Sequence, residues 1–153
     1  MRQTFNQRKL WIEAMAVILL ILGLLAWLVH VETQPLNRNE LKIEVSQLRS
    51  YSAEAGLLAE QALATKVTET FFQTQTYLLR DKSQSSSSSL ESATVDSGLE
   101  ANHGQARQLA GQLKSLLEQL SGSFANPNEL NRATSNLKSL SAELKAAEQS
   151  LKK

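Results

Sequence analysis

The chain has no cysteine, and only two prolines and six glycines in 153 residues; aromatic side chains make up 5% of it. Without cysteine there can be no disulfide, no thiolate metal site, no cysteine nucleophile and no lipid attached through a cysteine. With so few prolines and glycines, and with Ala, Leu, Gln, Glu, Lys and Ser dominating, the usage is that of helices. Outside one apolar run there is little β-branched or aromatic enrichment to suggest strands. Charge of one sign is lacking too. From Arg38 onward 13 Lys or Arg balance 13 Asp or Glu, interspersed rather than blocked. Such a surface has no long-range pull on polyanions, so nucleic acid is not an expected partner. No Asn-x-Ser/Thr acceptor occurs either. The absence of cysteine and of this acceptor suits a bacterial envelope protein.

The motifs of common catalysis are missing as well: the sequence has no HExxH, GxSxG, phosphate-loop or dinucleotide-glycine signature. His30 and His103 are its two histidines, and neither has a second histidine or an acid at ligand spacing. Paired acids such as Glu40 and Glu44 lie on a charge-mixed helix face and read as solvated salt-bridge formers. No catalytic, cofactor-binding or metal-ligating residue is therefore assigned, and the chain is not expected to be an enzyme.

What is present begins with one long apolar run. Ala14 to Val31 reads AMAVILLILGLLAWLVHV, in which 11 of 18 residues are Leu, Ile or Val and His30 alone is ionisable. At roughly −0.3 to −0.6 kcal/mol per central aliphatic residue, insertion into a bilayer is favoured by several kcal/mol. Eighteen helical residues rise about 27 Å, enough to cross the hydrocarbon core, with Trp11 and Trp27 near its two edges. A cleaved signal peptide would have a shorter apolar region ending in small residues, and His30-Val31-Glu32-Thr33-Gln34-Pro35 offers no such site. Arg2, Arg8 and Lys9 precede the run, whereas Glu32 and Arg38 follow it. The positive-inside rule then places residues 1–13 in the cytoplasm, a single transmembrane helix over 14–31, and residues 32–153 in the periplasm of a bacterial inner membrane. Glu13, at the head of the run, resembles the glutamate of type IV pilins. Arg8 stands where those proteins carry a glycine, however, and no strand pattern follows, so Glu13 is read as an interfacial acid.

Beyond the run the pattern is all-α. Asn37-Arg38-Asn39-Glu40 is a capping signal, and an apolar stripe from Leu41 to Leu78 predicts one long helix over 37–80. Lys66 and Glu69 interrupt its heptad. The sequence from Asp81 to Ser89, DKSQSSSSS, reads as a flexible linker. A second helix over 90–121 carries Leu113, Leu117 and Leu120 at alternating spacings of four and three, and Gly122 ends it. Asn126-Pro127-Asn128-Glu129 opens a third helix, over 127–152, with Leu137, Leu140 and Leu144 on the matching seam. Two such seams joined by a short loop lie side by side and antiparallel. The expected domain is an elongated antiparallel three-helix bundle or coiled coil after the single N-terminal transmembrane helix.

Phe71, Phe72 and Tyr77 cluster near the end of the long helix. They form either a contact for a partner or a plug in the bundle end, and the plug is favoured because bundle ends need large side chains. The resulting expectation is a membrane-anchored scaffold or accessory subunit. It contacts the lipid bilayer through Ala14 to Val31 and binds protein partners of the membrane or envelope through leftover helix surface; a homo-oligomer would be another way to cover that surface. The alternative is an extracytoplasmic helical sensor that binds a small ligand. Its layout resembles the outer bundles of chemoreceptors and sensor kinases, but this sequence holds no second apolar run and no output domain.

Overall fold

A polar cap closes the first turn of three of the four helices that follow Pro35. In this computed structural model the described residues are Val17, 19–21 and 35–152, and the chain divides after Gln34. Helix α1 (Arg38–Leu63) starts at Asn37, whose side chain accepts from the backbone N–H groups of Asn39 and Glu40 at 3.0 and 3.1 Å. The Glu40 carboxylate returns the favour by accepting from Asn37 N–H at 2.9 Å, completing a capping box. Helix α2 (Glu69–Ser92) starts at Thr68, whose hydroxyl accepts from Phe71 N–H at 3.3 Å. Helix α3 (Glu100–Ser121) has no side-chain cap. Helix α4 (Pro127–Ser150) starts at Asn126, which accepts from the N–H groups of Asn128 and Glu129, with Pro127 in the first turn where no N–H is needed.

The expected long helix over 37–80 is two helices. The chain leaves α1 at Leu63, passes Thr65 in a left-handed conformation (φ 54°) and re-enters helix at Glu69. Thr65, Val67 and Thr68 are β-branched and poor at continuing a helix, and the Thr68 hydroxyl is better used as a cap. The apolar stripe faltered at Lys66 and Glu69 because the helix stops there. The second correction concerns Asp81 to Ser89. These residues are helical and belong to α2, so the expected linker is absent and the turn lies at 93–99 instead. Ser83, Ser86, Ser87 and Leu90 recur at three-four spacing on the buried face, and packing there overrides the weak helix propensity of serine. In consequence the helix expected over 90–121 starts only at Glu100, Leu90 having gone to α2.

The four helices form an antiparallel bundle rather than the expected three-helix one. α1 packs on α2 and α4, α3 packs on α2 and α4, α1 and α3 meet across the centre, and α2 and α4 do not touch. Contacts fix the directions. Arg49 pairs with Glu148 and Glu60 with Lys138, so α1 and α4 run opposite ways. Phe72 meets Phe124 and His103 meets Leu90, so α2 and α3 do too. Leucines and alanines fill the centre, among them Leu41, Leu48, Ala55 and Ala59 of α1, Ala106 and Ala110 of α3, and Leu130 and Ala147 of α4. Leu36, just before α1, is stapled to the α2–α3 turn: its N–H donates to Thr94 C=O at 2.8 Å and its C=O accepts from Asp96 N–H at 3.1 Å.

Among the described residues no helix is long and apolar enough to cross a membrane. The transmembrane helix expected over 14–31 lies outside the described residues except at Val17, Leu19, Leu20 and Ile21, which are helical and exposed.

Two glycines give opposite expectations. A Cβ on Gly56 would stand 3.8 Å from Leu137 Cβ, an ordinary contact inside a regular helix. Gly56→Ala should therefore raise unfolding stability by about 0.5–1 kcal/mol, through lower unfolded-state entropy and better helix propensity. Gly98 sits at φ +93° in the α2–α3 turn, and Gly98→Ala should cost about 1 kcal/mol or more. Urea unfolding followed by circular dichroism reads both. A loss of stability in Gly56→Ala would show that the α1–α4 spacing is tighter than described.

Candidate functional site

The candidate contact residues lie on α2, and helical geometry separates them. Adjacent side chains point about 100° apart, and here the core takes Phe72 and leaves Phe71 at the edge of the helix face. Phe72 is fully buried, its ring 5.2 Å from that of Phe124 and tilted by 49°. It is the plug at the end of the bundle where α1 gives way to α2 and α3 to α4. Phe71 is 47% exposed, and Leu78, two turns on along the same flank, is 43% exposed. Tyr77 is 61% exposed with the Arg80 guanidinium 5.8 Å from its ring centre. The trio thus comprises one core residue and two surface residues, and Leu78, expected at the end of the buried apolar stripe, is instead exposed on the flank of Phe71 seven residues before it.

The six seam leucines, Leu113, Leu117 and Leu120 of α3 and Leu137, Leu140 and Leu144 of α4, are all buried. They belong to the central core, and Leu140 also edges a shallow open depression between α3 and α4. His103, assigned no role from sequence, lies partly buried with Nε2 2.7 Å from the Leu90 carbonyl, one of the last carbonyls of α2. Those carbonyls have no partner within their own helix, so the imidazole supplies one from α3. His30 lies outside the described residues.

The inner face of α2 is chemically unlike the others. Between Phe72 and Leu90 its buried residues are Thr76, Leu79, Ser83, Ser86 and Ser87. Ser87 donates to Glu91 within its own helix at 3.4 Å. Thr76 Oγ1 and Ser83 Oγ are buried without a hydrogen-bond partner among the described residues, which costs about 1–3 kcal/mol each. Beside Ser86, Glu44 of α1 brings in a carboxylate with one buried, unpartnered oxygen. Burial pushes the Glu44 carboxyl above its ordinary value, and the Ser86 hydroxyl beside it acts the other way. By contrast, Ser52 of α1 donates to the Leu137 carbonyl at 2.9 Å, and the nearly buried Glu148 holds Arg49 at 2.7 Å as an ion pair. Ser52 is thus satisfied across the α1–α4 contact. Thr76 and Ser83 of α2 and one carboxylate oxygen of Glu44 have no hydrogen-bond partner among the described residues, and Glu148 Oε2 has the Arg49 ion pair without a well-formed hydrogen bond.

The remaining surface offers shallow, open depressions. One between α2 and α3 is walled by Tyr77, Arg80, Asp81, Gln84, Lys114 and Glu118, and another between the ends of α3 and α4 by Gln119, Ser123, Glu129, Arg132 and Ala133. Both mix charges of either sign and favour no one ligand. Among the described residues no three His, Asp or Glu side chains converge to hold a metal ion. Comparisons with protein-family models, with curated proteins and with solved structures return no match to the chain.

The raised Glu44 carboxyl gives a pH dependence of definite sign. A group whose folded value exceeds its unfolded one favours the fold while protonated, and this contribution is lost as pH rises through the folded value. Glu44→Gln, neutral at every pH, should be more stable than the parent at neutral pH, and the difference should close on mild acidification. Denaturant midpoints of the two chains across that range check it. A constant difference would mean that Glu44 is solvated in the folded protein.

Proposed function

We propose that this protein is a membrane-anchored helical scaffold or accessory subunit that holds partner proteins by helix packing and performs no bond chemistry. The observation that carries the reading is the 18-residue run from Ala14 to Val31, with no acid, Lys or Arg in it, joined at Pro35 to a four-helix domain. In this reading the run is the single-pass anchor in a bacterial inner membrane, the N-terminal residues 1–13 are cytoplasmic and the helical domain is periplasmic, as the basic residues before the run favour. The partner surface is the flank of α2 carrying Phe71, Tyr77 and Leu78. Large apolar and aromatic side chains left in water are what a packing partner removes from it, and aromatics are enriched where binding energy concentrates.

Two measurements test this. The full chain, expressed in a bacterium, should remain with membranes through alkaline and high-salt washes and leave them only in detergent; release by the washes would remove the anchor. Phe71→Ser combined with Tyr77→Ser should then abolish stoichiometric co-purification of a membrane partner while moving the thermal midpoint by no more than about 5 °C, since each surface change stays near ±0.5 kcal/mol. Phe72→Ala, by contrast, should cost about 3–5 kcal/mol of stability. Retention of the partner by the Phe71/Tyr77 variant would place the contact on another face.

A further inference from the structure

We propose that residues 79–92, the second half of α2, form a displaceable segment that undocks and unfolds while α1, α3 and α4 stay assembled. A helix in a bundle is held chiefly by the apolar surface it buries, because isolated helices of this length are marginal in water. From Leu79 onward the buried positions of α2 are Leu79, Ser83, Ser86, Ser87 and Leu90, so only its two ends are apolar. The inner face of α4, by contrast, carries Leu130, Leu137, Leu140 and Leu144 along its middle, with Ala133, Thr134, Ala147 and Glu148 between and beyond them. The serines between Leu79 and Leu90 bring little hydrophobic gain, and among the described residues their one hydrogen bond across to α1 is that of the Ser86 hydroxyl to the Glu44 carboxyl. Ser83 Oγ has no partner among the described residues, Ser87 turns to Glu91 of its own helix, and Ser86 faces a Glu44 carboxylate that burial disfavours.

Local propensity points the same way. Seven of the fourteen residues from 79 to 92 are serine, a residue that competes with helix by bonding to its own backbone. The segment is helical because it is docked, so undocking and unfolding are one event. Firm attachments flank it. On one side Phe72 is locked against Phe124, and on the other the turn at 93–99 is held by the Leu36 hydrogen bonds to Thr94 and Asp96. Opening therefore releases a short loop tethered at both ends, whose closure entropy is small. It breaks the His103–Leu90 hydrogen bond and lifts Lys82 from the Tyr51 ring, exposing the Glu44 carboxylate and the His103 imidazole to water. The bundle thus has a built-in gate of serine, distinct from the aromatic flank of the same helix and independent of what that flank binds.

The absence of native cysteine makes the test direct. In the full chain under native conditions, thiols placed by Ser83→Cys and Ser87→Cys should react with a maleimide at least about tenfold faster than thiols at the equally buried controls Ala59→Cys and Ala110→Cys, as sub-global opening predicts. Equal rates in folded variants would overturn the proposal. Should the substitutions themselves unfold the chain, hydrogen exchange of the unsubstituted protein decides. Amides of residues 80–92 must exchange at least about tenfold faster than those of 130–147, and equal protection of the two segments would overturn the proposal.

Discussion

The contact on which the remainder of the bundle depends is that between its first and last helices. α1 and α4 make the most extensive interface in the domain. It is built on small residues of α1: Ser52, Ala55, Gly56 and Ala59 let the leucines of α4 come close, and the Ser52 hydroxyl reaches the Leu137 carbonyl across 85 residues of sequence. A buried hydroxyl satisfied in this way fixes how the two helices slide against each other, since a shift by one turn would strand the donor. Arg49–Glu148 and Glu60–Lys138 bracket the same seam. The second pair is exposed and worth little. The first leaves Glu148 nearly buried, so its value lies in matching a charge that would otherwise be costly. With α1 and α4 joined, α2 and α3 complete the bundle against a surface already formed.

The other side of the bundle follows different rules. α2 is pinned by Phe72 at one end, while its serine-lined half carries the unpartnered Ser83 hydroxyl and meets, at Ser86, a carboxylate that resists burial. Buried polar groups specify a structure when satisfied and weaken it when not. The same chain contains both cases, Ser52 satisfied against α4 and Ser83 of α2 without a partner among the described residues. That asymmetry divides the domain into a rigid part, α1 with α3 and α4, and a part whose position is only weakly held. Free energy for movement is in this way concentrated in one segment without loosening the core.

Legibility in the sequence varied with the kind of signal. The capping box at Asn37, the Asn126-Pro127 start of the last helix and the leucine spacing of α3 and α4 rest on local stereochemistry; α1 and α4 start where those signals put them, whereas α3 starts ten residues later than expected. The break between α1 and α2 carried no glycine or proline. Its markers were Thr65, Val67 and Thr68, which lower helix propensity without forbidding a helix, together with the misplaced Lys66 and Glu69. The serine run was misread because its composition is that of a linker; the informative feature was its spacing, with Ser83, Ser86, Ser87 and Leu90 continuing the stripe of Leu79. Phe71 and Phe72 illustrate a finer point: adjacent aromatics can share a buried face or be divided by its edge, and only the fold shows that Phe72 goes in and Phe71 stays out. The unmatched hydroxyls and the Glu44 environment had no sequence signal at all, because they depend on which helix lies opposite.

The pairing of α1 with α4 can be tested by covalent capture. A Cβ at position 56 would lie 3.8 Å from that of Leu137, close to the roughly 3.8 Å separation typical of native disulfides. With Gly56→Cys and Leu137→Cys in a chain that has no other cysteine, mild oxidation is predicted to close an intrachain disulfide in nearly every molecule. Gly111→Cys with Leu137→Cys should not close, because Gly111 faces open space. Equal crosslinking of the two pairs, or crosslinks only between chains, would contradict the account that the first and last helices meet at this register.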